Sequence, residues 1–314
     1  MKVAVVMNSK AGALVGGSPE ETARRVEQLF AAAGAEVQMV VAEGPNLEEA
    51  IRRFRDSDVD AVVVAGGDGS VDTAAKALAG SGRTLGVLPM GTFNLFARDL
   101  QVPLKLEEAV PALVGGHVQQ VDTAEVNGKL FLCNSVMGLM PSLVDARESI
   151  RGKSFFQRLR DMAVAVGRLV RRYPRLTVTV DLGNGPQTIA VRSLAVTCNP
   201  YEEKLGALPM RPHMDTGRLA LYQIGHRGRL GMLWLLVSVI LGHWKQSTAV
   251  SEWMAPELTI AGRGASIQVV NDGELMSLEL PLHYRIHPRA QAVLMPAIPE
   301  PTEAQTAAQE ARPG

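Results

Sequence analysis

The sequence predicts an α/β fold: a domain built on a parallel sheet, followed by a mainly antiparallel β-sandwich domain. Three observations predict it. Short apolar runs alternate with segments of helical period through the first 120 residues. Each of those runs ends at a polar or glycine-containing turn. After residue 120 the alternation gives way to short strand runs grouped around Asn127-Gly128 and Gly183-Asn184-Gly185. Strand–helix alternation favours a parallel sheet covered on both faces, whereas successive strand runs with hairpin turns favour sandwich architecture.

The first run, 3–7, is continuously apolar, as a buried parallel strand requires. Ser18 then caps a helix with Pro19 at its first position, and Glu21 is placed to complete a capping box. Val26, Leu29 and Phe30 give that helix an apolar face, and Gly34 stops it. A second strand is expected over 35–41 and a helix over 47–54. A third strand, 61–65, runs directly into Gly66-Gly67-Asp68-Gly69, and a helix continues to about Leu78. A fourth strand, 84–88, runs into Pro89-Met90-Gly91, with helical patterns over 92–100 and 106–114.

In the second half, strand runs are expected over 118–126 and 130–136, over 176–182 and 188–196, and then over 218–224, 257–260, 266–270 and 275–280. Asn-Gly between two such runs is a strong hairpin signal. Helical patterns interrupt this half near 155–171 and 230–241. The tail, 297–314, is rich in Pro, Ala, Glu and Gln and reads as disordered.

The 314 residues include 32 Lys plus Arg and 32 Asp plus Glu. A balanced chain of this kind offers no electrostatic reason to expect nucleic acid as a partner. Cys133 and Cys198 sit in apolar runs without a CxxC spacing, so they read as core thiols in a reducing, cytoplasmic setting. The N-terminal apolar run is too short for a signal-peptide core. The longest apolar stretch, 230–242, is shorter than the roughly 20 residues a spanning helix needs. That stretch carries Trp234, with Trp244 just beyond, and basic residues flank it, so an interfacial helix and a core helix both remain open. A basic helical region including Arg151, Lys153, Arg168 and Arg171 is open to contact with anionic lipid or to simple solvation.

Four segments carry candidate chemistry. Gly66-Gly67-Asp68-Gly69-Ser70 lies where a buried strand hands over to a helix, so backbone amides and the helix N-terminus face one point, as in anion sites. A tight turn is the bland alternative. Asp68 argues for more: a carboxylate beside phosphates needs an intervening cation, and Mg²⁺, directly or through water, is the natural one. The loop is neither a Walker A sequence nor GxGxxG, and the glycines of 12–18 lack the P-loop lysine. The second segment is Gly91-Thr92-Phe93-Asn94, again at a strand–helix junction and on the same edge of a parallel sheet. Thr92 and Asn94 also suit plain capping roles. The third is Asn8-Ser9-Lys10, after the first strand, where Lys10 could reach a phosphate. The fourth is Asn271-Asp272-Gly273-Glu274, an ordinary hairpin turn unless it faces the cleft.

In this order the four segments resemble the diacylglycerol kinase catalytic-domain family of bacterial lipid kinases, over residues of about 1 to 295. The GGDG loop is shared with other kinases, whereas Gly91-Thr92-x-Asn94 together with Asp272-Gly273-Glu274 is more specific. Cys133-Asn134-Ser135-Val136-Met137-Gly138 also fits. The resemblance implies an ATP-binding domain over 1–122, rejoined by about 286–296, and a lipid-substrate sandwich over 123–285, with the active site between them. It implies Glu274 as general base, with Asp68 as the second catalytic residue and the one that engages Mg²⁺, directly or through water. Gly66, Gly67, Gly69, Ser70 and Thr92 would hold ATP phosphates, with Asn8, Lys10 and Asn94 lining the nucleotide site. Implied partners are ATP, a lipid alcohol such as diacylglycerol, the membrane surface in passing, and a second copy in a homodimer. Departures are Ser9-Lys10-Ala11 for Pro-x-Ser, Ser70 for Thr, Asp72-Thr73 for Asn-Glu, and Leu95 for Asp. A structural metal in the loop 211–217 would have only Asp215 as a carboxylate. A kinase of a soluble substrate, like the NAD kinases, and a catalytically silent nucleotide-binding module are the rival readings.

Overall fold

The computed structural model describes residues 1–12, 18–138, 176–203, 209–224, 245 and 250–297. The expected helices near 155–171 and 230–241, the basic region and the tail beyond 297 lie outside the described residues.

The first domain starts with β1 (Lys2–Asn8), α1 (Pro19–Ala32), β2 (Glu36–Ala42), α2 (Pro45–Arg52), β3 (Ala61–Gly66), α3 (Asp68–Leu78) and β4 (Thr84–Pro89), followed by α4 (Leu95–Asp99) and α5 (Leu106–Val114). Every residue of β3 and β4 is buried, which explains their unbroken apolar sequence. The strands run in parallel in the order β2-β1-β3-β4. Right-handed crossovers to either side of β1 therefore place α1 and α2 on opposite faces. α1 packs beside α5, and α2 beside α3. The N-cap of α1 is Ser18, whose hydroxyl accepts the Glu21 N–H. The carboxylate that meets this hydroxyl is that of Glu20, at 2.7 Å, one residue from the position the capping box predicted.

The helix expected over 92–100 is shorter in the structure. Asn94 takes a left-handed conformation with φ 51° and ψ 48°, and α4 starts only at Leu95. The Asn94 side chain bonds back to both the N–H and the C=O of Gly91, which makes 91–94 a closed loop.

The second half contains β5 (His117–Val126), β6 (Lys129–Phe131), β7 (Asn134–Gly138), β8 (Leu176–Asp181), β9 (Gln187–Val191), β10 (Ser193–Cys198), β11 (Leu219–Ile224), β12 (Val250–Ala255), β13 (Glu257–Gly262), β14 (Ser266–Asn271), β15 (Glu274–Glu279) and β16 (Leu282–Met295). β7, β10, β11, β12, β14 and β15 form one antiparallel sheet. The other strands continue the sheet of the first domain. The two sheets share a core that includes Val126, Phe131, Val196, Leu221, Ile260 and Tyr284.

Two expected strands break in the middle. The run 130–136 divides at Leu132 and Cys133, and the run 188–196 divides at Arg192. In each case the chain crosses from one sheet to the other, β6 to β7 and β9 to β10, as strands do at sandwich corners. Cys133 thus lies at a corner and not within a strand. Both cysteines are buried and free, and burial pushes the Cys198 thiol up to about 12.

β16 ties the two halves together. It pairs with β13 at its start and with β5 along most of its length. Its Val293 lies opposite Leu85 of β4 in parallel. A bulge between His287 and Gln291 separates its two halves.

Candidate active site

The strand order reverses between β1 and β3, and ligands of open α/β sheets bind beyond the carboxyl ends of the strands at such a point. Asn8 ends β1 and Gly66 ends β3, and the Asn8 Nδ2 donates to the Ser70 Oγ at 2.8 Å across the switch point. The Asn8 Oδ1 accepts the Lys10 N–H at 3.0 Å. The Lys10 ammonium points elsewhere, 3.3 Å from Glu43 on the surface.

The two glycine loops touch backbone to backbone. A Cβ on Gly91 would lie 2.5 Å from the Gly67 Cα, and one on Gly66 would lie 2.5 Å from the Ser70 side chain. The Met90 N–H donates to the Gly66 carbonyl at 2.9 Å. Glycine is required here by close approach, because no Cβ fits between the loops. Thr92 and Phe93 stand exposed at the rim, while Asn94 is buried with its amide committed to Gly91.

Asp68 is the first residue of α3, yet its carboxylate serves α4. The Leu95 N–H donates to Oδ1 at 2.6 Å. Burial pushes this carboxyl above its ordinary range, and the amides of Leu95, Phe96 and Asn94 pull the other way. A side-chain acceptor at a helix start is normally supplied by the helix's own N-cap residue. Asn94 is turned away, so Asp68 substitutes for it.

The hairpin between β14 and β15 repeats the device. Asp272 and Gly273 form a two-residue turn with φ of 47° and 90°, the left-handed pair a tight hairpin demands. The Asp272 carboxylate accepts the N–H groups of Leu132, Cys133 and Asn134. The sheet-to-sheet corner frees those amides from the ladder, and a buried amide needs a partner. Burial raises the Asp272 carboxyl, and these three amides oppose it. The turn is therefore fastened to the corner, and Glu274 leaves it toward the first domain. The Glu274 Oε2 lies 3.6 Å from the Lys76 Nζ on α3, and the same ammonium lies 2.6 Å from the Oδ2 of buried Asp72. Burial, with Asp272 nearby, pushes Asp72 up to about 7.

A buried guanidinium joins α4 to the corner. Arg211 is fully buried. Its N–H and Nε donate to the Asp99 carboxylate at 2.8 and 3.0 Å, and its Nη1 donates to the carbonyls of Leu132 and Cys198 at 2.6 Å each. Burial works against its charge, and Asp99 holds it protonated. Asp68 and Asp272, which each cap backbone amides, are thereby linked through α4, Asp99, Arg211 and the 132–133 backbone. Between α4 and the second domain lies a small hollow of about 10 Å³, lined by Leu95, Arg98, Asp99, Cys133, Tyr201, Pro209 and Met210.

Asp215 stands away from this centre, 3.8 Å from Arg289. The neighbouring carboxylate that organises its loop is Asp122, which accepts the N–H groups of Gly217 and Arg289 at 2.7 and 2.8 Å. Among the described residues no group of three or more His, Cys, Asp or Glu side chains is placed to hold a metal ion.

Asn8, Gly66, Gly67, Asp68, Gly69, Ser70, Thr92 and Asn94 thus gather on one sheet edge, and Glu274 of the second domain meets α3 at Lys76. Lys10 and Asp215 are not drawn in. Sequence reasoning missed Lys76, Asp99, Arg211 and Asp122. Only Lys76 left a local signal, since it stands four residues after Asp72 on a predicted helix.

The chain is similar to known proteins at three levels. Residues 2–126 match the diacylglycerol kinase catalytic domain. Proteins described as probable lipid kinases YegS-like, from Yersinia pestis (strain Pestoides F) and Yersinia pseudotuberculosis serotype O:1b, are 38% identical over 84 residues. The matched stretch is 26% of this chain and only 28% of each relative. A crystal structure of a diacylglycerol kinase from Bacillus anthracis str. Sterne superposes with a TM-score of 0.71 at 21% identity, covering 94% of this chain and 96% of that one. Another structure from the same organism gives a TM-score of 0.74 at 24% identity with the same coverage. At such identities the shared property is the fold. Over residues 2–126 this chain matches the diacylglycerol kinase catalytic domain family, and over nearly its whole length it has the two-domain fold of the Bacillus anthracis structures.

Proposed function

We propose that the protein is an ATP-dependent lipid kinase that transfers the γ-phosphate of ATP to the hydroxyl of a lipid alcohol such as diacylglycerol. The observation that carries this reading is the placement of Glu274. A hairpin fastened by Asp272 brings its carboxylate to α3, the helix that starts at the glycine loop. Lys76 is two helical turns from Asp68, about 12 Å along the axis. Helical side chains lean toward the N-terminus, so the Lys76–Glu274 contact sits on the loop side of its own turn.

The touching glycine loops present backbone amides to the ATP phosphates at the N-terminus of α3. Glu274 accepts the proton of the lipid hydroxyl as its oxygen attacks the γ-phosphorus in line. The bond from the γ-phosphorus to the bridging oxygen breaks, and ADP leaves. Mg²⁺ supplies charge neutralisation at the phosphates. The donors present suit an ion that keeps most of its water. Asp68 already accepts a backbone amide and Ser70 is bonded to Asn8, so Asp68 would hold the ion and Ser70 would not. The lipid alcohol is taken up with the protein in transient contact with the membrane surface. No helix among the described residues is long and apolar enough to cross a membrane.

The test is phosphorylation of a panel of lipid alcohols in detergent, with labelled ATP and Mg²⁺, resolved by thin-layer chromatography, for the wild type and for Glu274→Gln. We expect a labelled phospholipid from the wild type and loss of most turnover in the variant, with ATP still bound. Labelled NADP from NAD, with no labelled lipid, would overturn the reading.

A further inference from the structure

We propose that Lys76 is a positioning residue for phosphoryl transfer: anchored on buried Asp72, its ammonium holds the Glu274 carboxylate against α3 and supplies the positive charge beside which that carboxylate accepts its proton. The proposal rests on the reading of Glu274 as the base.

The geometry is that of a bridge. An ammonium has three donors and no acceptor. One reaches the Asp72 Oδ2 at 2.6 Å, and the ammonium lies 3.6 Å from the Glu274 Oε2. The Asp72 side chain is 8% exposed and the Glu274 side chain 65%. One end of the bridge is therefore fixed in the protein interior, and the other is an exposed surface carboxylate. An exposed glutamate alone samples many rotamers, and a base must stand within hydrogen-bond reach of its proton to act. Lys76 restricts that search from a rigid helix.

Charge points the same way. The groups facing Lys76 are Asp72 on its own helix, and Asp272 and Glu274 on the hairpin. Three carboxylates against one ammonium sum to −2 when all are ionised. The Asp72 Oδ1 is buried and has no hydrogen-bond partner. A naked oxygen of an ionised buried carboxylate is costly, and a proton on Asp72 removes that cost. Burial, with Asp272 and Glu274 adding to it, places this protonation at about 7.

The experiment measures kcat and KM for Mg-ATP in diacylglycerol phosphorylation, for the wild type, Lys76→Met, Lys76→Arg, Asp72→Asn and Glu274→Gln. For Lys76→Met we expect kcat to fall about tenfold or more with KM for Mg-ATP nearly unchanged. Lys76→Arg should restore most of kcat. Should Lys76→Met fail to fold, Asp72→Asn carries the test. It frees Lys76 from its anchor, and kcat should fall while the melting temperature does not. Wild-type kcat in these variants, with Glu274→Gln inactive, overturns the role of Lys76 alone. Full activity in Glu274→Gln, or no lipid product from the wild type, overturns the base and this role with it.

Discussion

The carboxylate of Asp68 accepts the backbone N–H of Leu95 at 2.6 Å, so the first residue of one helix caps the start of another. The same side chain, on the glycine loop proposed to hold the ATP phosphates, also sets the orientation of α4. α4 in turn carries Asp99, the partner of Arg211. A ligand-induced shift at Asp68 therefore has a covalent and hydrogen-bonded route to the second domain.

Two substitutions separate the roles of Asp68. Asp68→Ala removes the cap and is expected to cost about 1 kcal/mol in urea unfolding. Asp68→Asn keeps an acceptor for Leu95 and should stay within about 0.5 kcal/mol of the wild type. Both should weaken ATP binding in the presence of Mg²⁺, read by titration calorimetry. Wild-type Mg-ATP affinity in Asp68→Asn would show that the charge is not needed there.

Gly91 and Gly69 make a contrasting pair. A Cβ on Gly91 meets the Gly67 Cα at 2.5 Å, whereas a Cβ on Gly69 meets nothing within 4 Å. Gly91→Ala is expected to destabilise the fold by about 1–3 kcal/mol through forced separation of the loops, and to lower ATP affinity about tenfold or more. Gly69→Ala should leave stability within about 0.5 kcal/mol or raise it, since alanine favours a helical first turn. Thermal melts and nucleotide titrations of the two variants test the difference.

Asp72 gives a pH prediction. Its folded value of about 7 lies above the ordinary 3.8. A raised carboxyl favours the fold fully below the ordinary value, and that contribution is lost as pH rises through the folded one. Asp72→Asn cannot ionise. Its stability relative to the wild type should therefore improve between about pH 4 and 8, by on the order of 2–4 kcal/mol. Melting curves across that range, with parallel pH dependence in both proteins, would refute the assignment.

Arg211 and Asp99 should behave as one unit. Arg211→Met leaves a buried carboxylate unpaired and strips donors from the Leu132 and Cys198 carbonyls, so a loss of about 3–5 kcal/mol is expected. Asp99→Asn should cost a similar amount. The double variant should cost much less than the sum, with a coupling of about 1–3 kcal/mol in a double-mutant cycle.

Much of the first domain was legible in the sequence. Strands buried on both faces must be continuously apolar, so β1, β3 and β4 stand out, and the capped start of α1 is written in Ser18 and Pro19. The glycine loops were legible as well, because only glycine permits their approach. The sandwich was legible as strand runs and turns, but its corners were not. A strand that crosses between sheets keeps its apolar character, so nothing local marks the breaks at Leu132, Cys133 and Arg192. The start of α4 was hidden for a related reason. The residue that caps it, Asp68, lies 27 positions away.

By itself the sequence determined the fold class, the edge of the sheet at which the glycine loops gather and the resemblance carried by Gly66-Gly67-Asp68-Gly69, Gly91-Thr92-Phe93-Asn94 and Asp272-Gly273-Glu274. These depend on periodicity, backbone freedom and short-range order. Tertiary structure alone decided which way the Asp272 turn faces, that Lys76 bridges Asp72 to Glu274, and that Arg211 locks α4 to the corner before β7. Each of these joins groups far apart in the chain. Partners of this kind are chosen by which buried charges and backbone amides the packing leaves unpaired, and that is settled only when the two sheets and the helices come together.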